Sequence, residues 1–122
     1  MPLVTRSTTY DMHGASFESF VSPRTGSRDL CAWRTTLCPG QSGTEHTVDS
    51  EEVMLVLSGA PRLALDGVQV DTEPGAVVFV PAGSSVLLDN PGDAESEVWV
   101  TSVPGLTAST GDGGRISPPW VQ

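Results

Sequence analysis

The chain is a succession of short apolar segments, and each one is closed by glycine, proline or another turn-forming residue. The apolar run at residues 53–57 ends in Ser58-Gly59, and the run at residues 77–80 ends at Pro81. Asp66-Gly67 separates two further short runs and is a strong signal for a two-residue β-hairpin. Short strands at regular spacing with such turns indicate an all-β sandwich or barrel.

The length of 122 residues is typical of one domain. We predict a barrel core over residues 29–103, an N-terminal strand or lid over residues 1–28, and an irregular C-terminal tail over residues 104–122. Residues 107–114 are rich in Ser, Thr, Gly and Asp, which favours irregular structure. The segment that follows, Ser117-Pro-Pro-Trp120, is expected either to dock through its tryptophan or to remain a tail. The N-terminal segment is expected to form an edge strand, to cover the barrel mouth or to exchange with a partner. Its candidate lid residues are Tyr10 and His13.

The charge and the ends of the chain exclude several classes of function. A formal net charge of -9 repels phosphate backbones, so we expect no nucleic-acid partner. The chain contains no lysine, which excludes Schiff-base chemistry. The N-terminus lacks an apolar signal region, and no window approaches the ~18 apolar residues of a membrane span. We therefore expect a cytoplasmic protein without a membrane partner.

The two cysteines, Cys31 and Cys38, lie in one predicted strand. Their odd separation puts them on opposite faces, and at ~3.3 Å per residue they are too far apart for a disulfide, which needs Cα atoms within ~7 Å. Both are predicted to be reduced packing residues, as suits a cytoplasmic protein.

Two groups of regularly spaced residues stand out from this background. The first has the spacing G-x5-H-x-V-x3-E-x6-G and consists of Gly40, His46, Val48, Glu52 and Gly59. The second has the spacing G-x5-P-x-G-x2-V-x3-N and consists of Gly75, Pro81, Gly83, Val86 and Asn90. The glycines and the proline suit tight bends at strand ends.

In both motifs the chain resembles the cupin family, and the resemblance covers roughly residues 29–103. It implies a double-stranded β-helix, which is a small jelly-roll-like barrel with an open mouth, and it also implies a homodimer. Val48 and Val86 stand where metal-binding cupins carry histidines, while His46 and Glu52 match the two remaining ligands. Two protein ligands seldom hold a transition metal tightly, so we expect no metal cofactor.

His46 and Glu52 are the candidate catalytic residues. A carboxyl group in an apolar wall tends toward a raised pKa, and a histidine beside it can exchange a proton near neutral pH, so the two can form an acid–base pair. Six residues are predicted to line the pocket and bind a small-molecule substrate: Trp33, Val48, Met54, Val56, Val86 and Trp99. Phe79 is predicted to lie in the core.

Three functions fit this sequence. The first is a metal-independent enzyme of bacterial, secondary metabolism, of the cyclase, isomerase or dehydratase type; the resemblance to small bacterial cupins of polyketide tailoring favours it. The second is a non-catalytic cupin that binds a small ligand. The third is a metal-dependent cupin enzyme of the dioxygenase or decarboxylase type, whose ligand set would be completed by His13 or by the substrate.

Overall fold

The computed structural model describes residues 3–122, so Met1 and Pro2, the first residues of the N-terminal segment considered above, lie outside the described residues. Within this range the chain is almost entirely β and forms two six-stranded antiparallel sheets. The two sheets face each other, as in a jelly roll. The predicted double-stranded β-helix is therefore confirmed. No helix among these residues has the length and apolar character that crossing a bilayer requires.

The first sheet contains the N-terminal hairpin and the strand that follows the first motif. Its order is β1 (Thr8–Met12), β2 (Ala15–Val21), β3 (Cys31–Leu37), β10 (Ser96–Ser102), β5 (Glu52–Ser58) and β8 (Val77–Val80).

The second sheet contains the predicted Asp66-Gly67 hairpin and the C-terminal strands. Its order is β12 (Arg115–Ile116), β11 (Ala108–Thr110), β4 (His46–Val48), β9 (Ser85–Asp89), β6 (Arg62–Leu65) and β7 (Val68–Asp71). Two short 3₁₀ turns complete the described structure, at Pro23–Thr25 and Pro119–Val121.

The Asp66-Gly67 turn forms as the sequence predicts. Leu65 pairs with Val68, so the loop between β6 and β7 has two residues. Asp66 has φ 49° and Gly67 has φ 81°, and two consecutive positive φ angles are what a type I′ hairpin turn requires.

The prediction for Phe79 is wrong. Phe79 is 52% exposed because β8 alternates, with Val80 on the inner face of the sheet and Phe79 on the outer face. Phe79 pairs with Val53 on β5, which is 42% exposed, and Val77 is 66% exposed. The first sheet therefore presents apolar side chains on its outer face near the β8 edge.

The expectation of an irregular C-terminal tail is also wrong. β11 pairs with β4 on one side and with β12 on the other, so this segment extends the second sheet. Trp120 and Val121 are buried, and the Trp120 ring stacks on Phe17 with ring centroids 3.8 Å apart and an interplanar angle of 1°. The burial of these apolar side chains explains why the segment is ordered despite the polar composition of residues 107–114.

Both cysteines are free, which confirms the expectation of no disulfide between them. Cys31 is buried in β3, and its thiol lies 3.7 Å from the Val121 carbonyl oxygen. Cys38 is exposed because it follows the last residue of β3, so its prediction as a packing residue is wrong.

The two motifs are joined physically through Ser96, which is fully buried. Gly59 has φ 77°, and a Cβ atom at this position would lie 2.2 Å from the Ser96 hydroxyl oxygen, so a larger residue is excluded. The Ser96 hydroxyl donates a 2.8 Å hydrogen bond to the Asn90 side-chain oxygen. The Asn90 amide nitrogen in turn lies within 3.2 Å of three carbonyl oxygens, those of Leu37, Cys38 and Ala94.

We predict that Asn90→Ala lowers the free energy of unfolding by about 2 to 3 kcal/mol, because it leaves buried carbonyl oxygens and the Ser96 hydroxyl without partners. Urea denaturation would measure the change. Asp93→Ala, an exposed substitution in the same loop, serves as the control and should change the free energy by less than about 0.5 kcal/mol. A loss for Asn90→Ala no larger than that of the control would contradict the structural role of Asn90.

Candidate functional site

A cavity of about 180 Å³ lies between the two sheets and opens at one end of the barrel. Its walls are mostly hydrocarbon, from valine, leucine, methionine and aromatic side chains of both sheets. Solvent reaches the lining residues at the open end, where His13, Thr44 and Ile116 are exposed. This open end is called the mouth below.

Glu52 is the first residue of β5 and lies deep in the cavity with only 5% of its surface exposed. It shares the inward face of β5 with Met54, as the alternation of the strand predicts. Burial raises the pKa of the Glu52 carboxyl to about 7, because the ionised form loses its hydration in this apolar setting. No group among residues 3–122 donates a hydrogen bond to the carboxyl.

His46 is the first residue of β4 and lines the same cavity from the second sheet. Its Nδ1 atom lies 2.9 Å from the Thr44 carbonyl oxygen. A carbonyl oxygen only accepts hydrogen bonds, so Nδ1 carries the proton and Nε2 has the lone pair in the neutral ring. The Thr44 contact therefore orients the imidazole and selects the tautomer that can act as a base at Nε2.

His46 and Glu52 thus reach one cavity from opposite sheets. No hydrogen bond joins their side chains in the described part of the chain, and both line the space that a bound molecule would occupy. The chemistry that this arrangement supports is proton transfer, with a protonated carboxyl on one sheet and an imidazole lone pair on the other.

Four of the six predicted pocket residues line the cavity. Val48 is 2% exposed and Val86 is fully buried, and both present hydrocarbon to the cavity. Met54 lines it as well, and so does Trp33, whose indole nitrogen donates a 3.2 Å hydrogen bond to the Thr35 hydroxyl.

The two remaining pocket predictions are wrong. Trp99 lies on the outer face of β10, because Val98 and Val100 occupy the inner face, and its ring contacts Phe20 at a centroid distance of 5.3 Å. Val56 does point inward, with 1% of its surface exposed, but it packs in the core away from the cavity.

The N-terminal hairpin contributes to the mouth. His13 and Gly14 form the two-residue turn between β1 and β2, and His13 lines the cavity. The Gln41 side-chain amide donates a 2.8 Å hydrogen bond to the His13 carbonyl oxygen and links the hairpin to the loop after β3. Of the two predicted lid residues, His13 therefore lies at the mouth, whereas the Tyr10 hydroxyl accepts a hydrogen bond from Arg24 outside it.

The sequence left the docking of Trp120 open, and the cavity wall that this residue forms with Phe17, Leu106 and Ala108 was not predicted. Phe17 from β2 and Trp120 from the C-terminal 3₁₀ turn line the cavity, together with Leu106 and Ala108. None of these residues belongs to either motif. The apolar tryptophan after the polar segment 107–114 was the one available signal for this wall.

The residues at the family's metal positions do not fit a metal ion. Val48 and Val86 have no donor atom, so only His46 and Glu52 remain of the four positions. Asp49, a nearby acidic residue, is exposed and held by Thr107: the backbone amide and then the hydroxyl of Thr107 keep the pKa of the Asp49 carboxyl below its usual value. No three His, Cys, Asp or Glu side chains within residues 3–122 are grouped to hold a metal.

The sequence profile described as the cupin domain matches residues 33–103, which is more than half of the chain. The chain belongs to the cupin family. The motif resemblance is therefore confirmed, although the matched range of this cupin leaves out Phe17, Leu106 and Trp120 of the cavity wall.

Solved structures with the same fold include several enzymes. The polyketide cyclase RemF from Streptomyces resistomycificus superposes with a TM-score of 0.74 at 16% identity, over 84% of this cupin and 78% of that chain. A sugar phosphate isomerase of the cupin superfamily from Silicibacter pomeroyi gives 0.69 at 23% identity, over 87% and 74%. A salicylate 1,2-dioxygenase mutant from Pseudoaminobacter salicylatoxidans gives 0.65 at 21% identity, over 73% and 25%. At these identities the likeness concerns the fold.

One curated protein is similar in sequence. The endoribonuclease YbeY of Myxococcus xanthus (strain DK1622) is 29% identical over 92 residues, which are 75% of this cupin and 31% of that protein. This cupin therefore spans about a third of the length of its curated relative.

We predict that Glu52→Gln stabilises the fold at alkaline pH by up to about 3 kcal/mol. The folded-state pKa of about 7 lies above the ordinary value of 4.5, so the folded state binds the extra proton between these values. This contribution to the stability of the wild type is fully present below about pH 4.5 and is lost as the pH rises through about 7. Glutamine, which carries no charge, has no such loss.

Unfolding of both proteins in urea from pH 4 to pH 9 measures this difference. Glu51→Gln is the matched control, because Glu51 precedes Glu52 but is exposed. A stability gain for Glu52→Gln that does not grow with pH beyond the gain for Glu51→Gln would contradict the burial of an unpaired carboxyl.

Proposed function

We propose that this cupin is a metal-independent enzyme that acts on a small organic molecule by proton transfer, as in a cyclase, isomerase or dehydratase. His46 serves as the general base and Glu52 as the general acid. We place the reaction in bacterial secondary metabolism and the protein in the cytoplasm.

The observation that carries the proposal is the position of Glu52. Its carboxyl is almost fully buried in a hydrocarbon cavity, has no hydrogen-bond donor among the described residues, and has a pKa raised to about 7. A structural carboxyl is normally paired when it is buried, because an unpaired buried polar group costs stability. An acid whose pKa lies near the working pH is suited to giving and regaining a proton in a reaction.

An enolisation illustrates the proposed chemistry. The Nε2 lone pair of His46 takes a proton from a carbon next to a carbonyl group, and the electrons of that C–H bond form the C=C bond of an enol. The carbonyl oxygen takes the proton of Glu52. Transfer of the His46 proton to another carbon of the enol system, with return of the enol O–H proton to Glu52, completes an isomerisation. Alternatively, the enol carbon attacks a second carbonyl carbon and closes a ring; the new alkoxide oxygen then takes the His46 proton, and the enol O–H proton returns to Glu52. Loss of water from that ring requires the same acid and base, and no step needs an oxidant.

The comparisons support an enzyme of this kind in general terms. Enzymes named as a polyketide cyclase and a sugar phosphate isomerase share the fold, which accommodates such reactions. The likeness to an endoribonuclease does not lead us to propose RNA cleavage, because a formal net charge of -9 opposes a polyanionic substrate.

A non-catalytic ligand-binding cupin is the second candidate, favoured by the apolar cavity itself. It differs from an enzyme in binding without turnover and in tolerating the loss of His46. The homodimer implied by the family resemblance stays a prediction; the exposed Val53, Val77 and Phe79 on the outer face of the first sheet are compatible with it.

We predict that His46→Ala and Glu52→Gln each lower turnover by more than about 100-fold, because each removes one partner of the proton transfer. A panel of uncharged 1,3-diketones and phenolic ketones in D₂O would be followed by NMR for deuterium uptake and by mass spectrometry for loss of water. The substrate that the wild type converts is then used for the variants.

Glu51→Gln controls for the loss of a negative charge and should leave turnover unchanged. Full activity in both site variants would exclude the proposed acid–base pair. Binding of a panel compound without conversion by the wild type would favour the ligand-binding candidate instead.

We further predict that the untagged protein purifies with far less than one equivalent of transition metal, since only two donors remain at the family's metal positions. The double variant Val48→His/Val86→His should bind Zn²⁺ or Ni²⁺ tightly, because it completes a set of three histidines and a carboxylate. Elemental analysis and titration calorimetry measure both results.

The control for the double variant is Val53→His/Leu87→His, which adds two histidines that do not line the cavity. Near-stoichiometric metal in the wild type would overturn the metal-independent mechanism. Equal metal affinity in the two double variants would show that the four positions do not converge.

A further inference from the structure

We propose that the cavity selects an uncharged aromatic ring compound and discriminates against ligands that carry a carboxylate or a phosphate, with Trp120 as a specificity-determining residue. This inference rests on the proposed function, because it names the substrate class of the same cavity. It is tested by binding, which separates it from the test of catalysis.

The discrimination against carboxylates and phosphates follows from the charges around the cavity. The chain has no lysine, so arginine is the one permanent side-chain cation available. Arg34 pairs with Glu18 and lies 3.6 Å from Glu97 on the outer face of the first sheet, and Arg62 pairs with Asp71 at 3.1 Å. The other arginines are exposed and do not line the cavity: Arg6, Arg24, Arg28 and Arg115.

An anion that enters the cavity would therefore meet no arginine. The cavity already holds the Glu52 carboxyl, whose ionised form would repel a second negative charge. Transfer of a carboxylate or phosphate from water into an apolar site without a partner is strongly unfavourable. Two histidines also line the cavity: His46, whose Nδ1 atom contacts the Thr44 carbonyl oxygen, and His13, which lies at the solvent-exposed mouth.

The polar groups that do reach the cavity suit neutral hydrogen-bonding ligands. The Thr35 hydroxyl accepts a bond from the Trp33 indole and still has its own proton to donate. The protonated Glu52 carboxyl has a proton to donate as well. Both groups can bind a carbonyl or hydroxyl oxygen on a ring, without any charge on the ligand.

The selection of an aromatic ring follows from the volume of the cavity and from the aromatic side chains that line it. An apolar cavity of about 150 Å³ is enough to hold benzene, so about 180 Å³ accommodates one ring and part of a second that extends toward the mouth. Trp33 and Trp120 line this space with ring centroids 6.4 Å apart. Aromatic side chains bind planar apolar rings more favourably than aliphatic ones do.

Trp120 is held as a wall rather than as a loose tail. Its ring is stacked on Phe17, and its carbonyl oxygen accepts a 3.2 Å hydrogen bond from the Ser19 hydroxyl. The carbonyl oxygen of Val121, the next residue, accepts a 3.0 Å bond from the Gly105 amide. A wall that is fixed in this way loses little conformational entropy when a ring binds against it.

The test is the binding of three probes with the same two-ring skeleton: 2-naphthol, 2-naphthoate and 2-naphthyl phosphate. Titration calorimetry at pH 7.5 with the whole chain should give an affinity for 2-naphthol at least tenfold above that for either anion. Trp120→Leu should weaken 2-naphthol binding at least tenfold, whereas Trp99→Leu, on the outer face of β10, should not change it.

A positive charge introduced into the cavity wall provides an independent test of the discrimination against anions. Leu88→Arg places a cation on a lining position, and it should raise the affinity for 2-naphthoate at least tenfold; Leu87→Arg, at the neighbouring position that does not line the cavity, should not. Circular dichroism would verify that each variant is folded. If Trp120→Leu is unfolded, the probe series on the wild type and the Leu88 pair decide the proposal.

Equal or tighter binding of either anion by the wild type, or no measurable binding of 2-naphthol up to its solubility limit, would overturn the inference. The catalytic proposal fails separately, if His46→Ala and Glu52→Gln retain turnover. The substrate class is decided by binding to the wild type and to the Trp120 and Leu88 variants, whereas the acid–base pair is decided by turnover of the His46 and Glu52 variants, so the two failures are distinguishable.

Discussion

The structure depends on the apolar space that the two sheets enclose, because every second side chain of each strand must be accommodated there. This alternation sends Glu52 inward from the first sheet and His46 inward from the second, and it brings two residues of one motif to opposite walls of one cavity. Most inward positions hold hydrocarbon, and their burial stabilises the barrel. Glu52 differs from its apolar neighbours, because its carboxyl loses hydration when it ionises in this setting and its pKa is raised.

The free-energy cost of an ionisable group in the cavity is tolerable because hydrogen bonds and close packing hold the rest of the barrel together. Ser96 lies between Gly59 of the first motif and Asn90 of the second, and the Asn90 side chain binds the end of β3. The motif residues therefore divide into two kinds. Gly59 and Asn90 build the frame, whereas His46 and Glu52 face the cavity that the frame supports.

Much of this arrangement could be predicted from the sequence, because strand alternation is a local property. The family resemblance implied the interior positions of Glu52, Val48 and Val86, and the alternation along β5 then put Met54 on the same face as Glu52. The Asp66-Gly67 turn follows from its own two residues. The strand pattern alone did not show that Trp33 faces the cavity while Trp99 faces outward. This difference depends on which face of β3 and of β10 meets the second sheet, and in the antiparallel register Trp99 pairs with Arg34 while Trp33 pairs with Val100.

Three further errors have other physical causes. The Val56 side chain points inward as predicted, but it packs in the core and does not line the cavity. The alternation along a strand shows which face a side chain is on, but it does not show how far along the strand the cavity extends. The wall formed by Trp120 depends on contacts between residues far apart in the sequence, which the local composition of residues 107–114 does not reveal. Phe79 was misplaced because an edge strand can expose a large aromatic side chain on its outer face.

The docking of the C-terminal turn has a consequence for how the protein is made. The hydrogen bond from Ser19 to the Trp120 carbonyl joins residues 101 positions apart, and contacts of such long range form slowly. The ribosome synthesises β2 and β3 first, so Phe17 and Trp33 cannot contact Trp120 until all the intervening strands have been made. Until Trp120 has been synthesised and has docked, Phe17 and Trp33 form an exposed aromatic surface. Chaperones can bind this surface, and other incomplete chains can aggregate through it.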